Sequence, residues 1–493
     1  MENSIISFGV AGGGTAGLVS ALMLRQAFPK SEITVIYSTE IGIVGVGEGS
    51  TEHWRKFMDR CSIPILELIA ETDATHKYGL RFENWSKAHP DYFHSVTGDE
   101  AIYAWGLYAT YMGFLSENKL LTKQTSSTGL YEDRIRKVNL HNNTNQYHFD
   151  TFKLNSYLSK VAARRNVKFV NDKIVKVNKS AKNGNIVSVN LEQGFPVEAD
   201  FWIDATGFIK LLTSEMGNDE WNSFDKYLLM DTAFAFPTDS NPNGKIHPYT
   251  RAKAMSSGWA WEIPTQLRRG NGCVYSSSFA KEEDVVAEIS SMLNEDIEPL
   301  RRFSFNAGHL KSPWVKNCCA VGLSSAFVEP IEATSIGGTI QQLEMLIPYI
   351  ASYRPENWAS QRSYNKSFNI MMDNILSMVR LHYISDRDDT PFWREMAKMP
   401  VNESLQELLD LWQETTLKRS FIPDNDGQMF HIAHFLHVAQ GQDVINTEPI
   451  VQSLKNLDVY ENVRNDMASR QHERFNHETI DHAEALSEIY EES

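Results

Sequence analysis

Residues 5–11 (IISFGVA) form an apolar run bounded by glycine, the pattern of a buried strand. Apolar positions then recur with helical spacing from Leu18 to Phe28, and Pro29 closes the segment. ITVIY at 33–37 predicts a second strand, and GIVGVGEGS at 42–50 reads as a glycine-rich loop. QYHFD predicts a short strand ahead of a helix over 146–165. KFV and KIVKV within 168–177, and IVSVNLEQ at 186–193, alternate like antiparallel strands. FWIDATG at 201–207 is an apolar strand running into a turn. From residue 339 onward the pattern is mostly helical, and beyond 462 it is polar and charged, as in a solvated helix or frayed end. Strand segments of one sheet scatter from residue 5 to 321. They predict an interwoven α/β unit over 1–338 with a mostly helical region, 339–493, packed on it.

Composition narrows the function classes. The 493 residues carry 47 Lys+Arg against 63 Asp+Glu, a net charge of −16, with 42% hydrophobic and 11% aromatic positions. That mix is globular rather than disordered, and the acidic balance argues against nucleic acid. No run of about 18 apolar residues is present to span a membrane, and no signal-peptide pattern opens the chain. Four cysteines without a CxxC spacing give neither a disulfide framework nor a metal site. The expectation is a reduced, cytoplasmic protein.

The turn after the first strand, Gly12-Gly13-Gly14-Thr15-Ala16-Gly17, fits GxGxxG in the strand–turn–helix context the motif requires. Gly12 permits the tight turn, Gly14 lets the backbone approach a pyrophosphate, and Gly17 allows close helix packing. The acid that commonly ends the second strand and binds ribose is replaced by Tyr37, with Glu40 three residues on. Either Glu40 substitutes or the ribose grip is weaker. Asp204-Ala205-Thr206-Gly207 at the end of the later strand favours FAD over NAD. With no second GxGxxG, reduced flavin is expected from a separate reductase.

In Gly258-Trp259-Ala260-Trp261-Glu262-Ile263-Pro264, two tryptophans two residues apart project to one face of an extended segment. Together with GGGTAG, GVGEG at 45–49, ETDATHKYGLRFENW at 71–85, YHFD at 147–150, IDATG and VGLSSAFVEPIEATS at 321–335, this run gives the chain its resemblance to the flavin-dependent halogenases of the tryptophan-halogenase type. The resemblance spans nearly the whole length and is weakest after residue 340.

It implies an FAD-binding Rossmann-like fold of the glutathione-reductase/hydroxylase type. It also implies an enzyme that uses FADH2, O2 and chloride, bromide or iodide to make hypohalous acid, which halogenates an electron-rich arene such as an indole or phenol. Lys77 falls on the family's essential lysine. Its ammonium would polarise and position the hypohalous acid, or, if deprotonated by burial, form a haloamine. Glu332 falls on the active-site glutamate, with Glu329 as a nearby competitor. Thr334 and Ser335 match the halide site, where Ala333 and Ser335 replace the family's frequent serine and glycine. Thr15, Ala16, Glu48, Asp204, Gly207, Gly322 and Pro330 fall in flavin-contacting motifs beside the three glycines. Trp259 and Trp261 would wall the flavin from substrate. His94 in DYFHSV resembles a substrate-stacking segment.

His431, His434 and His437 have ligand-like spacing, but that spacing on a helix is expected to spread them around the surface, as ordinary core or surface histidines without a metal. Val96 stands where an aromatic partner of His94 is expected, and no tryptophan follows Trp412, which argues against free tryptophan as substrate. A homo-oligomer is expected. The competing readings are an aromatic flavin monooxygenase and a non-catalytic flavin-binding protein.

Overall fold

A computed structural model describes residues 7–42, 48–95, 112–122, 128–137, 146–239, 244–354, 358–414, 428–465 and 478–492. Its centre is a six-stranded sheet ordered Trp314–Val315, Cys318–Ala320, Phe201–Asp204, Phe8–Ala11, Ile33–Tyr37, Lys168–Asn171. All neighbours run parallel except the first pair. Phe8–Ala11 and Phe201–Asp204 are buried at every position, which is why both read as unbroken apolar runs rather than alternating ones. The helix Thr15–Ala27 springs from the first strand. Lys168–Asn171, expected in an antiparallel set, instead closes the edge of this parallel sheet; only Ile174–Lys179, Ile186–Leu191 and Pro196–Glu198 form the antiparallel group. Alternation marks one buried face but cannot tell which sheet supplies the neighbour.

A second sheet of seven strands is ordered Arg301–Ser304, Thr232–Asp239, Arg268–Tyr275, Gly258–Pro264, Tyr249–Ala254, Gly79–Glu83, Asp91–Ser95. A small antiparallel sheet places Gln146–Phe149 between Glu48–Gly49 and Thr75–Lys77. The α/β class is as expected. The expected boundary at 338/339 falls inside the helix Thr334–Ala351, which packs on Thr15–Ala27 and Glu52–Arg60 and buries most of its length in the core.

The C-terminal segment also departs from expectation. Thr479–Asp481 pairs antiparallel with Arg134–Arg136, and the helix His482–Glu492 buries Ala485, Leu486 and Ile489. Its polar composition hid one apolar stripe. Among the described residues no helix is long and apolar enough to cross a membrane.

Candidate active site

The glycine turn is built to leave room for a ligand. At Gly12, φ is +111°, and a Cβ there would lie 2.2 Å from the Ala205 carbonyl oxygen, so any side chain is excluded. At Gly14 a Cβ would meet nothing within 4 Å, and no side chain caps the helix that begins at Thr15. An open cradle in front of an uncapped helix N-terminus suits a pyrophosphate, so the residues present fit FAD. The Thr15 hydroxyl accepts from Asn155 at 2.9 Å, and Ala16 lies against Gly322, where an added Cβ would come within 2.7 Å of it.

Tyr37 packs edge-on against Phe169, and Glu40 is ion-paired with Lys173. The Asp204 carboxylate is buried and accepts from Thr206, Thr213 and Ser324. Ser324 also donates to the Gly207 carbonyl, so Asp204 binds the two turns to each other. Glu48 is half-buried, and burial pushes its carboxyl up to about 7.

Lys77 ends the strand Thr75–Lys77 and is fully buried. Its Nζ donates to the Ser50 carbonyl at 2.9 Å, and Gly49 leaves it space, since a Cβ there would stand 3.2 Å from Nζ and 3.5 Å from the Ala333 methyl. Burial lowers the ammonium to about 8, with the charge of Glu332 acting the other way. The Lys77 of this site is therefore not a solvated surface lysine.

Glu332 and Ala333 both adopt left-handed backbone, φ 67° and 53°, immediately before the helix Thr334–Ala351. Two such residues in sequence cost on the order of 1–2 kcal/mol each. The bend turns the Glu332 carboxylate inward, where it is 2% exposed. His94 Nδ1 lies 2.7 Å from Oε2, and His382 Nε2 donates to Oε1 at 2.9 Å. Burial alone would raise this carboxyl; the two histidines hold it well below the usual range.

His94, matched by its motif to substrate stacking, is here a buried partner of Glu332, and its Nε2 shares a proton with His434 Nδ1 at 2.7 Å. His434 and His437 both place their rings against His94, so the expected spread of the three histidines is wrong: positions three apart lie on one helical face. Among the described residues no group has metal-holding geometry. Val96 lies outside the described residues.

The remaining residues make two further groups. Trp259 is buried and Trp261 half-buried, with ring centroids 5.8 Å apart. Trp259 Nε1 donates to Glu329 at 2.9 Å, and the Tyr383 hydroxyl donates to the same oxygen. Burial pushes Glu329 up to about 7 against those two bonds. Thr334 and Ser335 line a small cleft with Gly322, Val328 and Thr339, while Pro330 caps the turn that leads into Glu332. Gly49, His382, Tyr383 and His434 were not singled out as site residues from the sequence. LHYIS at 381–385 carries no motif, and only the fold brings it to Glu332.

The family described as tryptophan halogenase matches residues 7–456. The tryptophan 7-halogenase RebH of Lentzea aerocolonigenes is 31% identical over 442 residues, covering 84% of this chain and 83% of the relative. Xcc4156, a flavin-dependent halogenase from Xanthomonas campestris, superposes with a TM-score of 0.81 at 27% identity, covering 98% of each chain. A tryptophan halogenase from Shewanella frigidimarina shares the fold, with a TM-score of 0.89 at 24% identity over 100% of this chain and 98% of that one. Carrying both a glycine cradle that fits FAD and a buried lysine beside a buried glutamate, the chain belongs to the tryptophan-halogenase family of flavin-dependent halogenases.

Proposed function

We propose that Lys77 and Glu332 are the catalytic pair of this halogenase, and that it acts on an electron-rich arene of the indole or phenol class. The observation that carries the reading is a buried ammonium close enough to a buried carboxylate to feel its charge, with that carboxylate held on a left-handed turn of the backbone. When bound, reduced FAD would supply two electrons that bring O2 to the peroxide level, the oxidant that converts halide to hypohalous acid.

The Lys77 ammonium donates a hydrogen bond to the hypohalous oxygen, fixes the halogen and makes it more positive. Glu332, held ionised by His94 and His382, takes the ring proton once the halogen has added. Thr334 and Ser335, at the start of a long helix, hold halide through that helix's positive end. Trp259 and Trp261 separate flavin from arene, which disfavours direct oxygen transfer and so the monooxygenase reading. The single dinucleotide turn, Tyr37 at the ribose position and the engagement of Glu40 with Lys173 support loose flavin binding and a separate reductase.

RebH acts on tryptophan by its name, which supports the indole class. The absence of a tryptophan after Trp412 favours indoles other than the free amino acid. Bromide or iodide serves better than chloride, because the heavier halides are easier to oxidise and the site lacks the family's frequent serine–glycine pair.

The test uses wild type and Lys77→Ala with a flavin reductase, a panel of indoles and phenols, and each halide. Wild type yields halogenated product, more with bromide or iodide than with chloride. Lys77→Ala loses on the order of 10²–10³ of that rate while binding FAD normally. Hydroxylated product from wild type, or near-wild-type halogenation by the variant, overturns the assignment.

A further inference from the structure

The proposed reaction makes a strong oxidant inside the protein, so the side chains around its point of origin must meet it. Thiols and thioethers are the groups hypohalous acid oxidises most readily. All four cysteines are buried, and none lines the cleft that holds Thr334 and Ser335. Two methionines do. Met371 and Met372 lie on the helix Trp358–Leu381, which packs against Thr334–Ala351, and with Ile375 they form part of the cleft's wall. Positions 371, 372 and 375 share one helical face, so both side chains border the same space. Each is 2% exposed, so a small oxidant reaches them through the cleft rather than from bulk solvent.

We propose that Met371 and Met372 are the site at which unused hypohalous acid oxidises this protein, thioether to sulfoxide, and that this oxidation ends its activity when no arene is present. This rests on the proposed reaction, with hypohalous acid arising at the Thr334–Ser335 end of the long helix. The thioether sulfur attacks the halogen, the oxygen–halogen bond breaks, and hydroxide leaves. Hydroxide then bonds to sulfur, the sulfur–halogen bond breaks, and halide departs with the electron pair. Loss of the S–OH proton to solvent leaves the sulfoxide. Sulfur has given up two electrons and the halogen has accepted them, so thioether and hypohalous acid become sulfoxide, halide and a proton.

The consequence follows from packing. A thioether between two helices is apolar and adaptable, whereas the sulfoxide is polar and is buried there without a partner. Oxidation therefore loosens the contact that holds Thr334–Ala351, and with it the halide end of the site. The other methionines supply internal references. Met216, Met292 and Met399 are partly exposed and meet a reagent in solution first. Met429 approaches the same long helix on another face: a Cβ at Gly337, one turn beyond Ala333, would lie 2.5 Å from the Met429 methyl and 2.2 Å from the Thr51 hydroxyl. Met429 thus reports oxidant that escapes on the side facing Lys77.

The experiment runs the FAD-loaded protein with a flavin reductase, O2, bromide and catalase but no arene, and follows each methionine by peptide mass spectrometry. The gain of one oxygen, about 16 Da, is expected at Met371 or Met372 at least about fivefold ahead of Met216, Met292 and Met399. Hypobromous acid added from outside, without turnover, should give the reverse order. Omitting bromide, or adding an indole, should suppress oxidation of the pair. Leucine at both positions keeps the side-chain volume and removes the sulfur. Met371→Leu/Met372→Leu, shown to bind FAD, should therefore stay active about threefold longer or more in arene-free turnover. No oxidation of the pair, or the same order in turnover as with added reagent, overturns the proposal. So do oxidation of the pair without bromide, oxidation first at Met429, and a double variant that fails as fast as wild type. Absence of brominated indole in the parallel reaction with substrate would instead sink the proposed reaction itself.

Discussion

Trp259 Nε1 donates to Glu329 Oε1 at 2.9 Å, so the first tryptophan of GWAWEIP is held by the first glutamate of EPIEATS. Glu329 ionises at about 7 in the folded chain against an ordinary 4.5, mainly because it is buried. A raised folded value means that folding favours the protonated acid. Its stabilising effect is complete below pH 4.5 and is lost as pH rises to about 7. Glu329→Gln cannot titrate. Between pH 4.5 and 7 wild type should therefore lose stability relative to this variant, on the order of 1–3 kcal/mol, read from denaturant midpoints at each pH. A constant gap across that range would remove Glu329 as a titrating group.

Gly14→Ala and Gly12→Ala should separate ligand binding from folding. Gly14 has negative φ and empty space where a Cβ would go, so Gly14→Ala should fold with an unchanged Tm. Its methyl would occupy the cradle and weaken FAD binding about tenfold or more, roughly 1.4 kcal/mol. Gly12→Ala forces a methyl against the Ala205 carbonyl at positive φ and should cost about 1–3 kcal/mol of stability. Flavin fluorescence titration and thermal melts of the two variants decide it; equal loss of Tm in both would refute the separation.

Gly49→Ala places a methyl 3.2 Å from Lys77 Nζ and should displace the ammonium from the Ser50 carbonyl. Halogenation should fall about tenfold or more through misplacement alone, with FAD binding retained. Product yield against flavin affinity reads the difference, and full activity would show that Nζ moves freely.

The pH profile of halogenation distinguishes the two chemistries open to Lys77. With the ammonium active, the rate should be maximal below about 8 and fall as pH rises through that value. A rate that climbs through 8 would assign the reaction to the free amine.

The parts of the site that chain order brings together were legible in the sequence. GGGTAG follows its strand directly, and Glu332, Thr334 and Ser335 are near neighbours. A family motif marked Lys77, but its burial comes from a strand pairing with Gln146, far along the chain. The environment of Glu332 was not legible, because His94 and His382 are separated by nearly three hundred positions and meet only when a strand and a helix end pack together. The edge position of Lys168–Asn171 and the pairing of Thr479–Asp481 were missed for a related reason. Alternation and polarity describe a segment's own faces, and the partner strand is chosen elsewhere.

The backbone N–H of His76, next to Lys77, donates to His482 Nε2 at 3.1 Å. His482 lies past residue 456, where the match to the family ends. A shortened protein designed to stop at that family limit would retain every residue assigned to the chemistry and lose the clasp behind the lysine strand. During synthesis, the support of the lysine strand is likewise completed only after residue 482 has left the ribosome.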